Sequence, residues 1–263
     1  MFYQQFNFKR IAIFLLLGLS AFATRKANLI ADSMDVYILM GQSNMAGRGV
    51  ISAGDSLVKN NKVMMFSADL KWLPAKNPLH FDKPGILGVG PGLSFGLVLP
   101  ANHISKTIGL VPTAVGGTSI DVWKPEALDK NTKKYPYDDA VKRIVAAMKT
   151  GIVKGVLWHQ GESDSEEKKA VAYLPKLILL IKRIRNLTGN PNLPFVVGEL
   201  GHYNPAYGSI NKELAKLPGK VPFTAVVSAE GLCDKGDGIH FNTASADLLG
   251  QRFAEKMLEL EKL

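Results

Sequence analysis

Five short apolar runs, each cut off by glycine or polar residues and mostly followed by a stretch with helical periodicity, constrain this chain most. They are Val36 to Met40, Ile108 to Val115, Gly155 to Trp158, Phe195 to Leu200 and Phe223 to Ser228. A run of apolar residues without alternation is the pattern of a strand covered on both faces. Between them, Asp138 to Lys149 carries Val141, Ile144, Val145 and Met148 on one helical face, and Ala170 to Asn186 carries Leu174, Leu177, Ile178 and Ile181. Gly189 and Pro191 stop the second of these. Thr243 to Lys262 closes the chain with Leu249, Phe253, Met257 and Leu260 as its stripe. Strands alternating with helices predict an α/β fold, a five-stranded parallel sheet with helices on both faces.

The remaining segments are less regular. Val63 to Phe66 reads as a short strand at most, and Leu93 to Asn102 as a short helix opened by the glycines around Pro91. Trp72 to Gly92, rich in Pro, Gly, Trp and His, reads as an irregular connection. Loops of that length in a compact domain are usually functional.

The 263 residues suit one α/β domain, and no linker or repeat divides them. At the start, Lys9-Arg10 is a basic flank, Ile11 to Leu19 an apolar core, and Ala21-Phe22-Ala23 a small-x-small cleavage site. These are the parts of a signal peptide over 1–23, leaving a single domain over 24–263 and a periplasmic or secreted protein. The apolar run is too short to favour a spanning helix, so no integral membrane domain is expected after cleavage. The net charge is +9, but the lysines are scattered and no arginine-rich run with interleaved aromatics exists, which argues against nucleic acid. The one cysteine, Cys233, excludes an intrachain disulfide and is expected to be a small buried residue.

In a parallel sheet the strand-terminal loops emerge at one carboxyl edge, where open α/β sheets bind ligands. Four of those loops carry chemistry. Val36 to Met40 stops at Gly41 and leads into Gln42-Ser43-Asn44; the second run ends near Gly116-Gly117; the third runs into His159-Gln160-Gly161-Glu162; Asp237-Gly238-Ile239-His240 follows the last. A hydrolytic serine needs an imidazole to accept its proton, and the imidazole needs a carboxylate to fix its tautomer. Asp237 and His240, three apart around a glycine, would supply both from one turn, with Ser43 as nucleophile. The oxyanion needs donors, for which the N–H groups of Ser43 and Gly117 and the side-chain amide of Gln160 are candidates. Glu162 is the competing carboxylate for the histidine. Gln42 and Asn44, which flank the serine, and Trp123 beside the Gly117 loop are the expected substrate contacts.

Other chemistries fit less well. Gly41 to Met45 lacks the second glycine of an α/β-hydrolase nucleophile elbow. His80, His103, His159, His202 and His240 show no metal-ligand spacing, and the glycines of GVGPGLSFG do not form a dinucleotide fingerprint, so neither metal nor cofactor is expected.

Taken together, GQSNMAGRG at Gly41, GVGPGLSFG at Gly88, VGGTSIDVW at Val115, LWHQGESD at Leu157 and DGIHFN at Asp237 resemble the SGNH hydrolase superfamily. The branch they are similar to contains sialate O-acetylesterases and family six carbohydrate esterases, the acetylxylan esterases. The resemblance implies a flavodoxin-like three-layer sandwich, an acetylated glycan as substrate, Ser43 as nucleophile, His240 as base and Asp237 as its partner. It also implies Ser43, Gly117 and Gln160 around the oxyanion. Gln42 stands where many relatives in the wider superfamily have Asp, and Gln160-Gly161-Glu162 stands where an Asn would otherwise serve the oxyanion. The rival reading is a catalytically silent carbohydrate-binding protein on the same scaffold, against which the intact Ser43, Asp237 and His240 argue.

Overall fold

The computed structural model describes residues 34–52, 62–99 and 106–263. The expected signal segment, the end of the helix expected to reach Asn102, and His103 lie outside the described residues. The strands are β1 (Met34–Gly41), β2 (Val63–Phe66), β3 (Trp72–Pro74), β4 (Thr107–Pro112), β5 (Ile152–His159), β6 (Phe195–Gly198) and β7 (Thr224–Val227). The helices are α1 (Ser43–Ala46), α2 (Pro91–Val98), α3 (Pro136–Ala147), α4 (Glu167–Ala170), α5 (Tyr173–Thr188), α6 (Gly208–Ala215) and α7 (Thr243–Glu261).

The sheet has seven strands in the order β3-β2-β4-β1-β5-β6-β7, which corrects the expected five. All pairings are parallel except β2 with β3. Of the two extra strands, β2 has the bounds of the short strand read at Val63 to Phe66, whereas β3 escapes a sequence reading for a physical reason. It is a short edge strand with Leu73 exposed and Pro74 unable to donate to a ladder. Besides the ladder with β2, Trp72 anchors it, its ring tilted against Phe66 at 4.7 Å and its indole N–H donating to Thr150 Oγ1 at 2.8 Å.

β1 is central, and its alternate side chains enter two different cores. Val36, Ile38 and Met40 join Trp158, Ile144, Leu177 and Ile181 on one side. Tyr37 and Leu39 join Leu157, Phe95, Leu249 and Phe253 on the other. Helices α3, α5 and α6 therefore cover one face and α2 and α7 the other, giving three layers. α6 was not foreseen from the sequence. The helix expected over Ala170 to Asn186 is α5, which starts later, at Tyr173, after the separate short α4, and is capped by Gly189 in the left-handed conformation (φ 69°). Cys233 is exposed, contrary to expectation, because its neighbour Leu232 takes the buried position in the loop between β7 and α7.

Candidate active site

The nucleophile loop is built by a close approach of two strands. A side chain at Gly41 (φ 134°) would place its Cβ 2.0 Å from the His159 carbonyl oxygen, so only glycine lets β1 leave the sheet beside β5 there. Gln42 N–H donates to that same oxygen at 2.9 Å, and Ser43 opens the single turn of α1. Gln42, Ser43 and Asn44 are all buried, with Ser43 6% exposed.

Across from it, the chain after β7 forms a polar turn on the surface. Asp234 Oδ2 accepts from Gly236 N at 2.8 Å and Gly238 N at 2.7 Å. Asp237 Oδ1 accepts from Ile239 N at 2.9 Å and His240 N at 2.7 Å. The other oxygen, Asp237 Oδ2, lies 2.8 Å from His240 Nδ1, and His240 Nε2 lies 3.0 Å from Ser43 Oγ. With Nδ1–H donating to the carboxylate, Nε2 is left bare to accept from the Ser43 hydroxyl. Burial alone would raise the Asp237 carboxyl. The backbone N–H and ring of His240, with the Ile239 N–H, outweigh it and hold the carboxyl well below the usual carboxylate range.

Behind Gly116 stands a buried ion pair. Arg48 Nη2 lies 2.8 Å from Asp82 Oδ2, and the same oxygen accepts from Gly116 N at 2.8 Å. The Gly116 backbone is so close to the nucleophile that a Cβ there would lie 3.4 Å from Ser43 Cβ. Among the described residues, the N–H groups of Ser43 and Gly117 have no acceptor. Both therefore remain open to an oxyanion. Neither Asp82 nor Arg48 is among the residues expected at the site from the sequence. The available signal was a charge within a glycine-rich run between apolar segments.

Gln160 is placed differently from expectation. It is fully buried, and Nε2 donates to Asp164 Oδ2 at 2.6 Å and Thr118 O at 2.9 Å, with Gln42 Oε1 at 3.2 Å. An amide has two N–H bonds, so none is left for an oxyanion in this arrangement. Its role here is to tie the third loop to the second. Trp123 is likewise no sugar platform. It is 1% exposed, packs edge-on against Trp158 at 5.1 Å, and donates its indole N–H to Thr118 Oγ1 at 3.2 Å. The ring belongs to the buried cluster that also holds Trp158, Tyr173 and Leu177.

Glu162 does not reach His240. Its Oε1 accepts from Asn44 Nδ2 at 2.7 Å and lies 3.7 Å from His159 Nδ1. Burial pushes His159 down, more than the neighbouring Glu162 charge raises it, so the ring is neutral at ordinary pH. His159 Nε2–H then donates to Glu199 O at 3.0 Å. Asn44 is also engaged internally. Of the two amides flanking Ser43, only Gln42 keeps an NH₂ without an acceptor among the described residues.

A cavity of about 260 Å³ is lined by His80, Phe81 and Asp82 from the long connection, with Ala114, Val115 and Arg143 opposite. Among the described residues no group of three or more His, Cys, Asp or Glu side chains could hold a metal ion. No helix among them is long and apolar enough to cross a membrane.

The model of the carbohydrate esterase family described as sialic acid-specific acetylesterase matches residues 33–259. The chain belongs to that family. A probable carbohydrate esterase of Arabidopsis thaliana is 33% identical over 243 residues, 85% of this chain and 90% of that protein. An X-ray structure of an Arabidopsis thaliana protein, at 33% identity, covers 87% of this chain and 98% of its own with a TM-score of 0.76. A carbohydrate acetylesterase from Xanthomonas citri, at 20% identity and a TM-score of 0.69, covers 87% of this chain and 57% of its own. That last likeness concerns the fold alone. The architecture is that of SGNH hydrolases, and the chain is a carboxylic ester hydrolase of the carbohydrate esterase type.

Proposed function

We propose that this member of the family removes O-acetyl groups from a glycan of the xylan or sialate type through an acetyl-enzyme on Ser43. The observation that carries this reading is the unbroken chain from Ser43 Oγ to His240 Nε2 (3.0 Å) and from His240 Nδ1 to Asp237 Oδ2 (2.8 Å).

As Ser43 Oγ bonds to the acetyl carbonyl carbon, its proton passes to His240 Nε2. The carbonyl oxygen becomes an oxyanion facing the N–H groups of Ser43 and Gly117. Collapse breaks the bond to the sugar oxygen, which takes the proton from Nε2 as it leaves. Water then gives a proton to Nε2 while its oxygen attacks the acetyl carbon. The second collapse releases acetate and returns the proton to Ser43 Oγ. Asp237 stays ionised throughout and stabilises the imidazolium. Gln42, whose NH₂ has no acceptor among the described residues, is the amide beside the serine that contacts substrate in this reading.

The mature enzyme is exported, beginning at Thr24 after removal of 1–23, and intact mass of protein recovered outside the cytoplasm of a secreting host tests this. The catalytic reading is tested by acetate release from acetylated xylan, acetylated sialic acid and p-nitrophenyl acetate. Wild type should turn over at least one of them, and Ser43→Ala should lose several orders of magnitude in kcat while remaining folded. Glycan binding by wild type without acetate release would favour the silent binding protein instead.

A further inference from the structure

Asn44 follows the nucleophile directly, yet its side chain faces the loop that carries the base. Its Nδ2 donates to Ile239 O at 3.0 Å and its Oδ1 accepts from Phe241 N at 3.0 Å. Those are the backbone groups immediately before and after His240. The second Nδ2 hydrogen goes to Glu162 Oε1 at 2.7 Å. Both N–H bonds and the carbonyl of the amide are thus used. Only one orientation of the amide satisfies all three partners, because Nδ2 meets two acceptors and Oδ1 a donor. Asn44 is 3% exposed, and the Glu162 side chain is 5% exposed.

We propose that Asn44 and Glu162 are positioning residues for His240: Asn44 clamps the chain on both sides of the base, and Glu162 locks the amide in the orientation that does so. The proposal rests on Ser43 and His240 acting as nucleophile and base. The physical need for it is plain. His240 sits on an exposed turn whose internal hydrogen bonds fix its shape, not its distance from β1. Asn44 is one residue from Ser43, so a clamp there ties the distance between nucleophile and base to the nucleophile's own backbone. A misplacement of about 1 Å in such a pair costs roughly a hundredfold in rate. Glu162, considered from the sequence as a partner for the imidazole, acts one step further back.

The test is an exchange of partners, read as kcat and KM on p-nitrophenyl acetate, with Ser43→Ala as the blank. Asn44→Asp removes both donors and sets one carboxylate against another. It should lower kcat roughly a hundredfold with little change in KM. Glu162→Gln keeps an acceptor at position 162 and should lose less than tenfold. In Asn44→Asp/Glu162→Gln the new amide at position 162 donates to the new carboxylate at position 44, which can still accept from Phe241 N–H. The double variant should regain about tenfold over Asn44→Asp alone, a recovery that a general loss of stability would not produce.

If Asn44→Asp does not fold, folded Asn44→Ala should show the same kcat loss. Near wild-type kcat in a folded Asn44 variant, an effect confined to KM, or a double variant no better than Asn44→Asp would each overturn the proposal. Wild type no more active than Ser43→Ala would instead bring down the catalytic reading on which it rests.

Discussion

The two halves of the candidate active site are built on opposite principles. The nucleophile half, Gln42 to Arg48 with Asp82 and Gly116 behind it, is buried, and its shape comes from strand contacts and an ion pair shielded from water. The base half, Asp234 to His240, is largely exposed, and its shape comes from short-range hydrogen bonds between carboxylates and the N–H groups of its own turn. Burial gives the first half rigidity that any unpaired charge would destroy. Local closure gives the second half a preformed Asp–His pair that is held in place only where other loops grip it. Asn44 grips it from below, and Tyr203 OH to Ile239 O (2.9 Å) and Asn204 Nδ2 to Gly238 O (3.2 Å) grip it from the side.

The largest expected effect tests whether the exposed pair is a working unit. Asp237→Asn should favour the wrong imidazole tautomer and lower kcat by about four orders of magnitude, as the equivalent change does in serine proteases. Measured beside Glu162→Gln at neutral pH, with folding checked by circular dichroism, it should be by far the more damaging. The reverse order would move the orienting role to the buried half.

The buried half should break through stability. Asp82→Ala leaves Arg48 charged and unpaired and Gly116 N–H without an acceptor. A loss of roughly 3–5 kcal/mol is expected in denaturant unfolding. A change near zero would mean that the pair is not desolvated in solution.

Acid should separate the halves as well. Burial, only partly offset by the Asp82 charge, pushes His80 down from its ordinary 6.5 to about 4. The unfolded chain therefore binds a proton there before the native state does, and unfolding becomes easier as pH falls from about 6.5 to about 4. The loss should be on the order of 3 kcal/mol, and His80→Asn should flatten the slope. Asp237 acts in the same direction, but in a lower pH window. Its folded carboxyl is depressed, so its contribution is present above the ordinary carboxylate range and is lost only as pH falls through the lower folded value. Stability that stayed flat between pH 6.5 and 4 would contradict the neutral, buried state of His80.

The smallest effect concerns the lateral grip. Tyr203→Phe removes one donor to Ile239 O but leaves that of Asn44, so about 1 kcal/mol of stability and less than tenfold in kcat should be lost. A larger loss of kcat would make the 203–204 loop, not Asn44, the principal brace of the base.

The sequence by itself determined β1 and the loop that follows it, the helices α3 and α7 in outline, a mostly parallel sheet with helices on both faces, and Asp237 as a carboxylate within one turn of His240, with Glu162 left as its rival. Each follows from local chemistry. An uninterrupted apolar run must be covered on both faces, and a carboxylate three residues before a histidine across a glycine closes its own turn. Only the tertiary structure decided the rest. β3 became a strand because the edge of β2 was there to pair with, while three residues carry too little periodicity to announce it. Gln160, Trp123 and Glu162 each had a plausible role in the site as polar or aromatic residues in loops. Their roles went elsewhere because packing brought Asp164, Thr118, Trp158 and Asn44 within reach first. A buried polar atom takes whichever partner the fold supplies, and no spacing along the chain records which one that is.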